Sequence, residues 1–460
     1  MLQLTPFNGA PSFIVTTPAD QSVEANRRLI RSHVMRGKNR KKLPPKPPSW
    51  INGIQGYEED HMNRGHSFPI PNKVGGELSL THFSSKISPA TFDAIRKLKH
   101  AMSPLDVGLP STRNDVSWFE PIQNDVACLH FTIFIAKTYQ DIVRGQKESQ
   151  TALAHFIKSL GILQRRIASA NHELSTSNST ILVVAGLAMA ATALGDLDAA
   201  VNHLKGLHEM VALRGGISAL LNERQLQAKI LRVDLEVALA TGSRPLFFSD
   251  GVSWGTYIAI RRRIPSGGGD PKDSAFPTDL ENFFHGLDTR LQWIWDDMSE
   301  LVRSLHIATL CKLGIDSDLY QEAMVSIHYR LLNLYFDIND TNESVRLALL
   351  GLASTLFLQW RGAKTRYEYL ARRYRNALSR LTLGGISMPP QLSLWLYIIG
   401  VILIFDDDEK TGFQRSLKES LSSMEIKSWD ETKLSLKSVL WADVLNVPAK
   451  SMVKITLSST

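Results

Sequence analysis

Apolar residues recur at helical spacing from about residue 118 to about residue 446, broken by short Gly, Ser or Asn interruptions. Positions i, i+3, i+4 and i+7 share one face of an α-helix, so this pattern predicts helix after helix. Alternation of period two, the mark of a half-buried strand, is almost absent. The fold class expected is therefore all-α: a multi-helical domain of packed antiparallel helices over residues 116–460.

The clearest pair is ILVVAGLAMAATALGDLDAAVNHLKGLHEMVALRGG, read as a helix to Leu194, a Gly195-Asp196 turn and a second helix to Arg214. Gly215 suits the left-handed position that ends helices, and Arg214 suits the negative end of the helix dipole. A further helix is predicted through ALLNERQLQAKILRVDLEVALAT to Gly242. The stretch PSGGGDPKDSAFPTD (265–279) reads as a long loop, with helices resuming near residue 280 and continuing to about 446. Upstream, residues 49–115 form a mostly irregular linker with one short helix, SPATFDAIRKLKHAM, capped by Ser88 with Pro89 in its first turn.

Two uninterrupted apolar runs occupy residues 181–194 and 394–405. Both are shorter than the roughly 18 residues needed to cross a bilayer. Charge bounds them at Asp196 and Asp406. Both are expected to be buried core helices, and no membrane contact is expected. GDLDAAVNHL looks like half of a tetratricopeptide repeat, but nothing similar recurs at the period of about 34 residues that such an array needs.

Charge changes the picture at one place. The chain carries 52 basic and 45 acidic residues, a formal +7. Residues 1–48 contain Arg27, Arg28, Arg31, Arg36, Lys38, Arg40, Lys41, Lys42 and Lys46, and residues 25–57 contain no Asp or Glu. Without those nine cations the rest of the chain has 43 basic and 45 acidic residues. The excess positive charge belongs to a basic N-terminal arm, and polyanion binding should start there.

Thr17, Pro18 and Asp20 predict a helix start within the arm, and Val23, Ile30 and Val34 share one side of that helix. LPPKPP ends it by Leu43. Three readings of the arm stay open, and they can coexist: a nuclear address read by an import receptor, a contact with the DNA backbone, or a solvated tail. RGKNRKK suits the first. Nine cations could release several counterions from DNA, which suits the second and gives salt-dependent, largely non-specific affinity. No leucine heptads follow, and no interleaved aromatics offer a stacking platform for single strands.

Candidate chemistry is sparse. Cys128 and Cys311 are the only cysteines, too few for a disulfide framework or a multi-cysteine zinc site, and both are expected to be buried thiols. His203 and His208 are five apart, so they do not form an H-E-x-x-H zinc helix and read as surface or cap histidines. The glycines at 267–269 lack the Lys-Ser/Thr of a phosphate loop. MLQLTPFNGAPSF has neither a charged n-region nor a long apolar h-region, and arm charge begins only after Asp20 and Glu24. No secretory leader or mitochondrial presequence is expected, and the sequons at Asn178 and Asn342 should carry no glycan.

Two acidic clusters need more weight. WDDMSE places Asp296, Asp297 and Glu300 at D-D-x-x-E spacing, and FDDDE follows at 405–409. In a helical protein, facing carboxylate sets could hold magnesium against a diphosphate, as in terpene synthases. The second motif fails: Asp407 and Thr411 fit it, but Arg415 stands where a Glu ligand is needed. The expectation is that Asp296 and Asp297 form a solvated face and that Asp407 or Asp408 caps a helix starting near Lys410. No catalytic residue, metal or cofactor is assigned.

FIVTTPADQSVEANRRLIRSHVMRGKNRKK, HLKGLHEMVALRGGISAL, DLEVALATGSRPLF, RLLNLYFDIN, SVRLALLGLASTLF and PPQLSLWLYIIGVILIFDDDE together resemble the fungal-specific transcription-factor-domain proteins. The resemblance runs from about residue 13 to LWADVLNVPAKSM near the end. It implies a helical regulatory domain in a nuclear protein of a filamentous fungus, controlling pathway genes such as a secondary-metabolite cluster. Many such proteins read DNA through a six-cysteine zinc cluster, which two cysteines cannot build. The S-H-V-M-x-x-x-x-R-K arm matches a subgroup without that cluster. The expected partners are a DNA-binding protein or the DNA backbone, and an import receptor. Homo- or hetero-oligomerisation stays open. The competing readings are a magnesium-dependent, terpene-synthase-like enzyme and a cytosolic helical scaffold whose arm touches anionic membrane.

Overall fold

Ser88 starts the first helix in the manner its sequence predicts. Its Oγ accepts from the Thr91 amide at 3.1 Å, and α1 runs Pro89–Met102. The computed structural model describes residues 87–102, 115–146, 149–169, 171–220, 222–247, 278–311, 317–360, 365–383 and 388–458. Among them the secondary structure is helical throughout, with no strand. The described helices sort into two compact units: Pro121–Val233, and Asp234–Thr460 together with α1.

α2 (Asp115–Asn124) leads to Asp125, whose carboxylate caps α3 (Val126–Val143) by accepting from the Cys128 amide at 2.9 Å. In the first unit α3 pairs with α4 (Gln150–Ile167). Ser159 donates to the Ala127 carbonyl at 2.9 Å, and Arg166 reaches Asp125 at 2.7 Å. After the single turn α5 (His172–Ser175), α6 (Asn178–Ala193) pairs with α7 (Leu197–Leu213).

The turn between α6 and α7 is as the residues predict: Gly195 sits at φ +76°, and Asp196 accepts from the Ala199 amide at 3.1 Å. Gly215 follows α7 at φ +95°, a conformation in which a side chain would be strained. Arg214 caps the end of α7 and donates to Asn178 at 2.5 Å.

α6 is the core of this unit. Ile181, Val183, Val184 and Ala188 are at most 1% exposed, and α3 and α7 flank it. A Cβ on Gly186 would lie 2.2 Å from the Phe131 ring, so only glycine lets α3 approach. By length and composition the stretch His172–Ala193 could cross a bilayer; half of its apolar window is buried inside the protein. The core-helix expectation holds for the run at 181–194.

The helix predicted from residue 219 begins later. A 3₁₀ turn at Ile217–Leu220 comes first, and α8 is Arg224–Thr241, closed by Gly242 at φ +76°. α9 (Thr278–His285) begins where helices were expected to resume, and α10 (Thr289–Cys311) and α11 (Ser317–Asn333) follow. The proposed loop at 265–279 lies almost wholly outside the described residues, as do the glycines at 267–269.

α12 (Thr341–Phe357) is the centre of the second unit: 14 of its 17 residues are buried, so it has no broad solvent-exposed face. α10, α11, α13 (Glu368–Leu383) and α14 (Pro390–Ile399) pack around it. The run at 394–405 does not form one continuous α-helix. It becomes a π turn at Gly400–Ile404, where the Phe405 amide bonds the Gly400 carbonyl at 2.8 Å. A Cβ on Gly400 would meet the Phe405 ring at 2.7 Å and Tyr374 at 3.2 Å, so the position has room only for glycine.

α15 (Asp407–Ser423), α16 (Trp429–Lys437) and α17 (Asn446–Ser458) complete the unit, extending helices beyond the predicted end near 446. Trp395 is fully buried, donates to the Leu440 carbonyl at 2.5 Å and lies 5.3 Å from the Trp295 ring.

Candidate functional site

The arm residues Arg27, Arg28, Arg31, Arg36, Lys38, Arg40, Lys41 and Lys42 lie outside the described residues, as does the predicted helix start at Thr17. The geometry of a site comes from the second unit.

The acidic pair expected on a solvated face is divided. Asp297 is buried on α10 among Ile294, Met298 and Leu301, and accepts from Arg330 of α11 at 2.5 Å, both side chains 2% exposed. Glu300 pairs with Arg303 along the same helix. Two of the three carboxylates of D-D-x-x-E are thus already engaged by guanidinium groups, which would compete with a metal.

α15 starts at Asp407 rather than near Lys410, and Asp406 pairs with Arg366. Arg415, at the position where a ligand would be needed, forms an exposed 3.6 Å pair with Glu419. Among the described residues no group of three His, Cys, Asp or Glu side chains comes together. Cys128 is buried, and burial pushes its thiol up to about 12. Cys311 is exposed, contrary to expectation, because it falls at the very end of α10. His208 is exposed and His203 half-buried on α7.

A cleft of about 200 Å³ is bordered by α8, α11, α12 and α13. Ala238, Leu239, Leu332, Leu347, Leu350 and Leu370 give it an apolar lining. Gly242, Arg244, Tyr335, Arg346 and Tyr369 supply its polar and aromatic parts.

Local structure builds the wall at α8. A Cβ on Gly242 would lie 2.4 Å from the Tyr369 ring, so the glycine is required by its φ and by its neighbour alike. The fully buried Asp234 accepts from the Leu246 amide at 2.8 Å, the Phe247 amide at 3.0 Å and the Tyr329 hydroxyl at 2.8 Å. Those bonds tie Leu246 and Phe247 back onto α8, two and three residues beyond Arg244.

On the other side, the buried Glu343 of α12 accepts from Arg346 at 2.7 and 2.8 Å and from Arg373 at 2.5 Å. Burial pushes the Glu343 carboxyl up, but its bonds to the two arginines outweigh burial and hold it below the usual range. Arg373 stacks on Tyr335 with its carbon 5.1 Å from the ring centre, and Arg372 lies 5.9 Å from the Tyr369 centre. Tyr335 is 73% exposed.

No family model matches the chain, and neither the curated proteins nor the solved structures give a match.

Sequence reasoning gave this cleft no role. DLEVALATGSRPLF, RLLNLYFDIN and SVRLALLGLASTLF, which carry part of the resemblance, all border it. One local signal could have flagged it: Gly-Ser-Arg-Pro directly after a helix, with a Tyr just beyond the end of another.

Proposed function

We propose that the chain is a nuclear transcription regulator of the fungal type, acting through its helical body. A DNA-binding partner protein supplies sequence choice, and the genes controlled are those of a pathway such as a secondary-metabolite cluster. The observation that carries this reading is the partition of charge: nine cations within residues 27–46, against 43 basic and 45 acidic residues elsewhere. A near-neutral net charge gives the body no general footprint for the DNA backbone, whereas the arm suits an import receptor and can touch phosphates. The all-α fold is what a helical regulatory domain requires, though fold alone does not define function.

The test is localisation of the tagged full chain with Lys38, Arg40, Lys41 and Lys42 changed together to Gln. The reading predicts a shift from nucleus to cytoplasm, reversed by fusing an independent import signal. Unchanged nuclear accumulation would remove the address role.

A further inference from the structure

We propose that the cleft between α8, α11, α12 and α13 is a binding site for a small planar molecule carrying a carboxylate. Charge selects the sign of the ligand. Arg244 and Arg346 line the cleft and no Asp or Glu does. Directly behind, the single carboxylate of Glu343 is shared by Arg346 and Arg373. Three guanidinium groups against one carboxylate leave two formal positive charges. The C-terminal turns of α8 and α11 also border the cleft, and each contributes about half a negative charge. The first turn of α13, which carries Tyr369 and Leu370, adds about half a positive charge, so the helix ends together cancel about half a unit and the balance stays positive.

Shape selects the body of the ligand. Tyr335 and Tyr369 line the cleft together with Leu239, Leu332, Leu347 and Leu350, and aromatic rings bind flat apolar groups by offset or edge stacking. Arg346 is committed, bonding Glu343 and also the Leu331 carbonyl at 2.9 Å. It holds the wall rather than the ligand. Arg244 is exposed, on a segment that Asp234 anchors at Leu246 and Phe247, so its planar fork is the group that would meet a carboxylate bidentately. Arg373 holds Tyr335 in place by stacking. The site thus divides into an aromatic and apolar slot with one guanidinium at its edge, the arrangement common to small-molecule pockets. This inference does not depend on a role in transcription, since binding is read on the purified chain.

The probe is 2-naphthoate, titrated into the purified full chain and followed by ligand-observed NMR. 2-Naphthylmethylammonium and 2-naphthalenemethanol serve as controls of the same shape. Saturable binding is expected for the carboxylate, with the ammonium roughly tenfold weaker or more, because a charge-assisted bond is gained in one and lost in the other. Arg244→Gln should weaken naphthoate roughly tenfold while leaving the alcohol unchanged. Tyr335→Leu, at another exposed lining residue, should weaken all three probes and serves as the second variant if Arg244→Gln melts early. The proposal is overturned by the absence of saturable naphthoate binding, by equal binding of the ammonium, or by variants that bind as the parent does.

Discussion

Arg330 and Asp297 form an ion pair at the centre of the second unit, 2.5 Å apart and each 2% exposed, joining helices α10 and α11. Two charges removed from water hold each other in place, so losing one partner strands the other. Asp297→Asn should therefore lower stability by about 3–5 kcal/mol, measured by urea denaturation. The double variant Asp297→Leu with Arg330→Met should recover most of that loss, because an apolar pair of similar volume carries no unpaired charge. A double variant as unstable as the single one would show that the pair does more than satisfy itself.

A second pair makes stability depend on pH. His130 and His155 meet across α3 and α4 with their Nδ1 atoms 2.8 Å apart. Burial holds both imidazoles below the ordinary value of 6.5, helped by Lys158 at both and by Lys137 and the opposing ring at His155. The folded state thus binds fewer protons than the unfolded one. Its stability is fully present above the unfolded value and is lost as pH falls below about 6.5 toward the depressed folded values. The melting temperature of the parent should fall between pH 7.5 and 5.5 more steeply than that of His155→Gln. Identical slopes would contradict the pairing.

Glu425 ends α15 where a glycine would be favoured. It sits at φ 56°, with its amide on the Ser422 carbonyl and the Ile426 amide on Leu421, both at 3.0 Å. The same two-bond closure at the end of α7 uses Gly215 and Gly216. Glu425→Gly should stabilise the protein by up to about 1 kcal/mol, and Gly215→Ala should destabilise it by a similar amount, both read by thermal melts. Destabilisation by Glu425→Gly would mean that its side chain contributes more than its backbone costs.

Helix ends were readable because their causes are local. Ser88, Asp196, Gly195, Gly215 and Gly242 cap or close helices by contacts within a few residues. The breaks in that legibility come from distant partners. Nothing near Asp297 announces Arg330, which is 33 residues away, so a carboxylate on an apolar helix face read as solvated. Nor does an uninterrupted apolar run show that Gly400 will lie against the ring of Tyr374, 26 residues upstream. The cleft draws its lining from four helices whose order in the chain says nothing of their convergence.

Binding to duplex DNA by the isolated chain should be electrostatic and weakly selective. Affinity should fall with salt at a slope of roughly −0.9 per phosphate contact in log–log form, and removing residues 1–48 should abolish it. A preference on the order of 10³ for a target promoter over scrambled duplex at physiological salt would reveal a base reader within the chain itself.

Regulation of transcription from within the nucleus is tested most directly by genome-wide occupancy of the tagged full chain, paired with transcript profiles of a strain lacking it. The predicted result is enrichment at a limited set of promoters whose transcripts change on deletion, with that enrichment lost when the DNA-binding partner is removed. Occupancy no higher than an untagged control, together with unchanged transcripts, would contradict the proposal outright.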